Sequence, residues 1–275
     1  MSSKKHPFNY FFDKIFVINL FDKEYRWKKV NKQFQRRGIK ADRFIAVDGR
    51  CKDQGDSGCE AKLKSFEISY NIKIKNKYGY PLKELLPASS LTIGTLLLLR
   101  AQVKNNWKHM LICEDDVELT RNIEEKFKRG IKEIGSAKWD VLYLGCGHYC
   151  GNSGLSEKMT SKYKYPSTLM QFISDMDLYV THKNDLRVIC GDDCEQFSEH
   201  ISVPLSPGGT WCYAYSLQGA KKMLKFLEKD AGDHIDQLIC RGIEDEIIKA
   251  LAFDPPIVMH EEGAFRKDSD IPWEW

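Results

Sequence analysis

Met110-Leu111-Ile112-Cys113-Glu114-Asp115-Asp116-Val117-Glu118-Leu119 is the stretch on which the fold turns. An apolar run short enough for a buried strand stops abruptly in three carboxylates. A buried strand that ends this way sets its acids at the rim of a sheet, where open α/β folds bind ligands. Three adjacent acids repel one another unless a positive charge sits among them. A divalent cation held by oxygen ligands supplies that charge. Strand alternation sends Glu114 and Asp116 to one side and Asp115 to the other. The outer pair could then hold a metal while the middle acid faces another group. A solvated acidic turn after a strand is the alternative that this stretch alone leaves open.

The flanking sequence supplies the rest of a sheet. Lys14-Ile15-Phe16-Val17-Ile18-Asn19-Leu20 reads as a buried strand, with Asn19 where a ligand-facing loop starts. Trp27, Val30 and Phe34 recur at helical spacing, and Gly38 supplies the stop. Residues 40–47 read as a second strand closed by an Asp48-Gly49 turn. Strand, helix and strand in this order form a βαβ unit and argue for a parallel sheet. Residues 51–90 are less regular, with 54–58 loop-like, and read as an excursion over one face.

A buried helix over 91–106 then leads into the acidic strand. Ile123, Phe127, Ile131 and Ile134 mark an amphipathic helix over 121–134, followed by a strand at 139–145. Residues 146–170 form a long polar loop, of the kind that is usually functional or mobile. An edge strand at 177–180 and an irregular stretch at 183–207 follow. Gly208-Gly209-Thr210 precedes a strand at 211–215. Ser216 caps a helix with Leu217, Ala220, Met223, Leu224 and Leu227 on its apolar face. A further helix from about 237 to 252 and an apolar run ending at His260 complete the pattern. The expected architecture is one α/β domain over residues 8–275, with a mostly parallel central sheet flanked by helices and a flexible 1–7.

Bulk properties exclude little. The 275 residues carry 42 basic and 39 acidic side chains, a net charge of +3. That balance gives no strong push toward nucleic acid or membrane, so anion selectivity must come from a local site. No apolar run approaches the ~20 residues of a membrane span, and the first seven residues lack the apolar core of a signal peptide. These features point to a cytoplasmic or virus-encoded protein. Of the nine cysteines, Cys113, Cys212 and Cys240 sit in apolar contexts and read as small core residues. The rest fall as close pairs: Cys51/Cys59, Cys146/Cys150 and Cys190/Cys194. The last two pairs are compatible with a structural Zn2+ site, with local disulfides or with free thiols.

Taken in order, these landmarks resemble glycosyltransferase family 25, the lipopolysaccharide-modifying transferases and collagen β-galactosyltransferases. Four segments carry the likeness: Phe16–Leu20 with Arg26; Phe44–Gly49; Ile93-Gly94 with Leu111–Val117; and Gly209-Thr210 through Ala220 with Ile235-Asp236. Two departures stand out. The family's usual Ser-His pair falls on Leu98 and Leu99, and the first of two usual arginines is Lys23. The resemblance implies a GT-A-like fold and inverting transfer from a UDP-sugar with Mn2+ (or Mg2+) as cofactor. Galactose is the first expectation for the sugar and glucose the second. The acceptor would be hydroxylysine in a collagen-like protein or a glycan.

Each candidate residue follows from that chemistry. Negative charge builds on a departing diphosphate, and a divalent ion offsets it. Asp116, Glu114 and His260 are the candidate metal ligands, since Mn2+ accepts both carboxylate and imidazole. Asp115 would face the donor's ribose or sugar hydroxyls. Asn19, Leu20 and Arg26 flank the first strand end, the nucleotide position of a βαβ unit. Asp48-Gly49 could bond uracil or ribose, or simply turn the chain. Gly209-Thr210 lets a sugar approach the backbone. An inverting reaction needs one carboxylate base; Asp236 is the first candidate and Asp245 the second, with Glu246 beside it. A metal-dependent hydrolase and a non-catalytic nucleotide-sugar-binding relative are the rival readings.

Overall fold

The computed structural model describes residues 6–51, 55–77, 79–146, 194–204 and 207–260. Most of the 146–170 loop, the edge strand expected at 177–180, Cys150, Cys190 and the tail after His260 lie outside the described residues. Seven α-helices are described: α1 Phe8–Phe11, α2 Glu24–Arg36, α3 Gly55–Tyr70, α4 Leu82–Asn105, α5 Ile123–Ile134, α6 Leu217–Leu227 and α7 Ile235–Glu244. The eight strands of the main sheet are β1 Lys14–Asn19, β2 Asp42–Ile45, β3 His109–Glu114, β5 Val141–Gly145, β6 Cys194–Gln196, β7 Ile201–Pro204, β8 Cys212–Ser216 and β9 Ala250–Phe253. A separate ribbon pairs β4 Val117–Leu119 with β10 Val258–His260.

The main sheet has the order β2-β1-β3-β8-β5-β9-β7-β6. β1 is parallel to β2 and β3, and β5 is parallel to β9. β8 runs against β3 and β5, and β7 runs against β9 and β6. Only β7 and β8 therefore oppose the common direction, and the mostly parallel α/β sheet expected from the βαβ unit is the one found. Both faces are covered, which is why the central strands read as continuous apolar runs rather than as alternations. Met110 and Ile112 of β3 pack into one core with α4, α6 and α7; Leu111 and Cys113 pack into the other with α1, α2 and α5.

Four expectations need correction. The stretch at 51–90 is mainly helical: α3 occupies 55–70, and α4 begins at Leu82, well before the expected residue 91. Pro81 and Pro87 look like loop punctuation, yet Pro81 sits at the N-cap, where no helical bond needs its N–H, and Pro87 lies inside the helix. Ile93-Gly94 therefore lies inside α4, not at its start. The helix expected over 237–252 stops at Glu244. Glu246 adopts φ +56°, the amides of Ile247 and Ile248 both converge on the Gly242 carbonyl, and 250–253 joins the sheet as β9.

The second strand is confined to Asp42–Ile45. Finally, Cys113 and Cys212 are buried as expected but are cross-strand neighbours joined as a disulfide, as are Cys51 and Cys59. The buried Cys240 thiol donates to the Pro207 carbonyl at 3.2 Å.

α4 is the one described helix long and apolar enough to cross a membrane. With 72% of its most apolar window buried in the protein, it is a core helix. Leu98 and Leu99, at the positions of the family's Ser-His pair, are 2% and 0% exposed.

Candidate metal and donor site

The three acids sit where β3 leaves the sheet. Glu114 is the last residue of β3, paired with Ile18 of β1, and its amide donates to the Trp211 carbonyl at 2.8 Å. The chain then turns through Asp115 and Asp116 before β4 begins at Val117. The expected separation of the acids is realised by this turn and not by strand alternation. Glu114 and Asp116 share one side, and Asp115 faces Asn19 and Arg26.

His260 is delivered by the ribbon. β10 runs antiparallel to β4 with His260 opposite Val117, next to Asp116. The His260 Nε2 lies 3.3 Å from Asp116 Oδ2, and the Trp211 ring packs against the imidazole at 5.6 Å between centroids. One ligand atom from each of Glu114, Asp116 and His260 falls within 4.8 Å of the others, the one such cluster among the described residues.

The electrostatics single out this cluster. Burial, reinforced by the Asp116 charge, pushes the Glu114 carboxyl up to about 8. Burial and the same neighbour raise Asp115 to about 6, against the stabilising hydrogen bond from Asn19. Burial acts to raise Asp116 as well, but His260 and Arg26 outweigh it and hold that carboxyl below its usual range. Asp116 Oδ1 is buried without a hydrogen-bond partner among the described residues. An orphaned carboxylate oxygen beside a second carboxylate suits an oxygen-seeking divalent cation such as Mn2+, with the imidazole as a third ligand. The residues present therefore fit the metal that the resemblance implies.

Arg26 reaches the acids and not open solvent. Its Nη1 lies 3.5 Å from Asp115 Oδ1 and 3.9 Å from Asp116 Oδ2, with its side chain 11% exposed. Asn19 is 1% exposed and donates to Asp115 Oδ2 at 2.5 Å. Leu20 offers its carbonyl to Arg43 at 3.1 Å. Asp48 is occupied by Arg50, whose guanidinium also grips Asp22. Gly49 packs so tightly on the Leu86 carbonyl of α4 that any Cβ would collide with it, which explains the glycine without a ligand.

Gly209 and Thr210 form a strap. The Gly209 amide donates to Asp236 Oδ2 at 3.0 Å, and the Thr210 hydroxyl donates to Glu114 Oε1 at 3.1 Å. Two consecutive residues thus tie the candidate base to a candidate metal ligand. Tyr213, raised chiefly by burial, also feels the charges of both Glu114 and Asp236. Asp236 sits in the first turn of α7, its other oxygen accepting from the Gln237 amide at 2.8 Å. Asp245 is exposed at the opposite end of that helix, roughly 13 Å away along the axis at 1.5 Å per residue. Sequence reasoning missed Arg43, Trp211 and Tyr213. Arg43 is hidden as one charge in an alternating strand, and the two aromatics read as core.

A family model for glycosyltransferase family 25 (LPS biosynthesis protein) matches residues 12–239. The chain belongs to that family. Comparison with curated proteins gives no match. Among solved structures, apo mouse xyloside xylosyltransferase 1 is 12% identical over 85% of this chain and 69% of that one, with a TM-score of 0.30, a loose superposition.

Proposed function

We propose that this glycosyltransferase is a metal-dependent inverting hexosyltransferase. It moves galactose, or failing that glucose, from a UDP-sugar to a hydroxyl on a collagen-like protein or a glycan. The observation that supports it most is the convergence of Glu114, Asp116 and His260, with a buried carboxylate oxygen left unpaired. These three residues would hold Mn2+ or Mg2+, which when bound supplies positive charge against the departing diphosphate. Residues 8–275 are taken as the catalytic domain.

The chain's own residues divide the remaining work. Asn19 and Arg26 hold Asp115 away from the metal ligands, with its carboxylate available to donor hydroxyls. Arg26 offsets the excess negative charge of the acids, and Leu20 forms the floor of the nucleotide side. Asp48 and Gly49 serve that side through Arg50 and through packing on α4. Asp236 takes the proton from the acceptor hydroxyl as the new glycosidic bond forms. Two backbone amides fix its carboxylate, and the strap through Gly209 and Thr210 sets its distance from the metal ligands. Asp245 is too remote to share this task.

The test is UDP release from a panel of UDP-sugars, with and without Mn2+, by wild type and Asp116→Asn. Metal-dependent release from one sugar, abolished in the variant, supports the transferase and names its donor. UDP that binds with Mn2+ but is never released points to a binding relative. The absence of both release and metal-dependent UDP binding would end the proposal.

A further inference from the structure

The geometry points to Arg43 as a positioning residue for the donor site, acting on Asp115 through Asn19. This rests on the donor reading of Asp115 given above. Asn19 closes β1 in a nearly sealed position, and an amide can occupy such a position either way up. Its neighbours decide the orientation. Arg43 Nε, which can only donate, lies 2.7 Å from Asn19 Oδ1. The Lys23 carbonyl, which can only accept, lies 2.9 Å from Nδ2. With the oxygen committed to Arg43, Nδ2 is left to donate to Asp115 Oδ2. The amide orientation that presents Asp115 as a fixed acceptor is thus written by a residue on the neighbouring strand.

Arg43 is also placed to do this rigidly. It lies on β2 opposite Val17 of β1, one residue before Phe44 and two strand positions from the Ile45 that faces Asn19. Its Nη2 donates to the Leu20 and Phe21 carbonyls at 3.1 and 3.0 Å. One guanidinium therefore clamps the end of β1, the turn that follows and the Asn19 side chain. A lysine keeps the charge but cannot reproduce the fork. Among the described residues, the contacts of Arg43 go to Asn19, Leu20 and Phe21 and not to Glu114, Asp116, His260 or Asp236. Its influence should fall on donor binding more than on the chemical step.

The experiment uses the full chain with Mn2+ and the donor identified in the UDP-release panel. Arg43→Lys, Asn19→Ala and the double variant are compared by steady-state kinetics, by UDP binding calorimetry and by thermal melting. The expected result for Arg43→Lys is a donor KM raised on the order of tenfold with kcat within about threefold of wild type. The double variant should be no worse than the more damaged single variant, because both break one chain of contacts. Arg43→Gln replaces the lysine variant should the latter fail to fold. An unchanged donor KM, a loss confined to kcat, or effects that multiply in the double variant would overturn the assignment and leave the transferase reading intact. If wild type neither turns over a donor nor binds UDP, both fall together.

Discussion

The two ends of the β1–β3 pair are built from opposite materials. At the N-terminal end, α1 folds a plug of rings under the sheet. Phe8, Phe11, Phe12 and Phe127 meet edge to face or tilted, and Phe11, His109 and Trp139 stack. The two histidines there, His6 and His109, are kept neutral by burial, which lowers both pKa values. At the C-terminal end, the same two strands finish in Asn19 and Glu114, facing acids, an arginine and an imidazole. One end is held mainly by apolar area and a few hydrogen bonds, its one orphan among the described residues being the neutral-leaning His6 Nε2. The other keeps raised carboxyl pKa values and an unpaired buried oxygen. Stability and reactivity are separated along a distance of six residues.

That contrast can be broken experimentally, and the largest effect belongs to the charged end. Asp116→Asn should cut metal-dependent donor turnover by at least ~100-fold while lowering the melting temperature by only a few degrees, because His260 and Arg26 lose the charged carboxylate they favour. A melting temperature lowered by many degrees would show that the charged end also bears stability. The reciprocal change is Phe127→Ala. Phe127 is 1% exposed, so truncation should cost about 3–5 kcal/mol. Denaturant unfolding reads that loss. Turnover per folded molecule, measured well below the transition, should stay near wild type.

The two ends should also titrate in opposite senses. His6 and His109 have lowered pKa values in the folded state, so the unfolded chain binds more protons below ~6.5 and stability falls as pH drops through that value. Glu114 has a raised pKa of about 8, so the metal-free folded state binds the extra proton, and its contribution to stability falls as pH rises from ~4.5 toward 8. Melting curves between pH 5 and 8 for Glu114→Gln should weaken the second slope, leaving the part that Asp115 carries up to about 6, and those for His109→Phe should weaken the first. Mn2+ should stabilise wild type more at pH 8 than at pH 6, since metal must displace the Glu114 proton. Equal stabilisation at both values would remove Glu114 from the ligand set. The smallest effect is reserved for a solvent-exposed control. The exposed Lys28–Glu24 pair on α2 should be worth less than ~0.5 kcal/mol by double-mutant cycle.

Much of this division could be read from the chain alone. The strands ending in Asn19 and Glu114 announce themselves because apolar runs stop abruptly at polar groups, and a βαβ order dictates their parallel pairing. Asp115 could be assigned a partner separate from its neighbours, although the turn that separates them could not be foreseen. Helix α3 was invisible because it buries only Cys59 and Phe66 and leaves Ile68 exposed, so its sequence carries almost no helical stripe. The segment at 250–253 looked helical because its strand character comes from β5, its parallel neighbour, and not from its own residues. Arg26 and Arg43 could not be assigned partners because those partners are distant in sequence and set by packing, and Arg50 joins its near neighbour Asp48 to the more distant Asp22. The strap of Gly209 and Thr210 was legible as a flexible approach, but not as a tether between Asp236 and Glu114.

The β4–β10 ribbon has a consequence for how the protein comes to life. The acids lie at residues 114–116, whereas His260 lies far downstream and arrives only when β10 folds back over β4. A nascent chain that has made its carboxylates still lacks the imidazole and the strand that encloses them. With Glu114, Asp116 and His260 as the proposed ligands, metal capture would wait until the chain between residues 117 and 260 has folded, so that a loaded site would certify that folding.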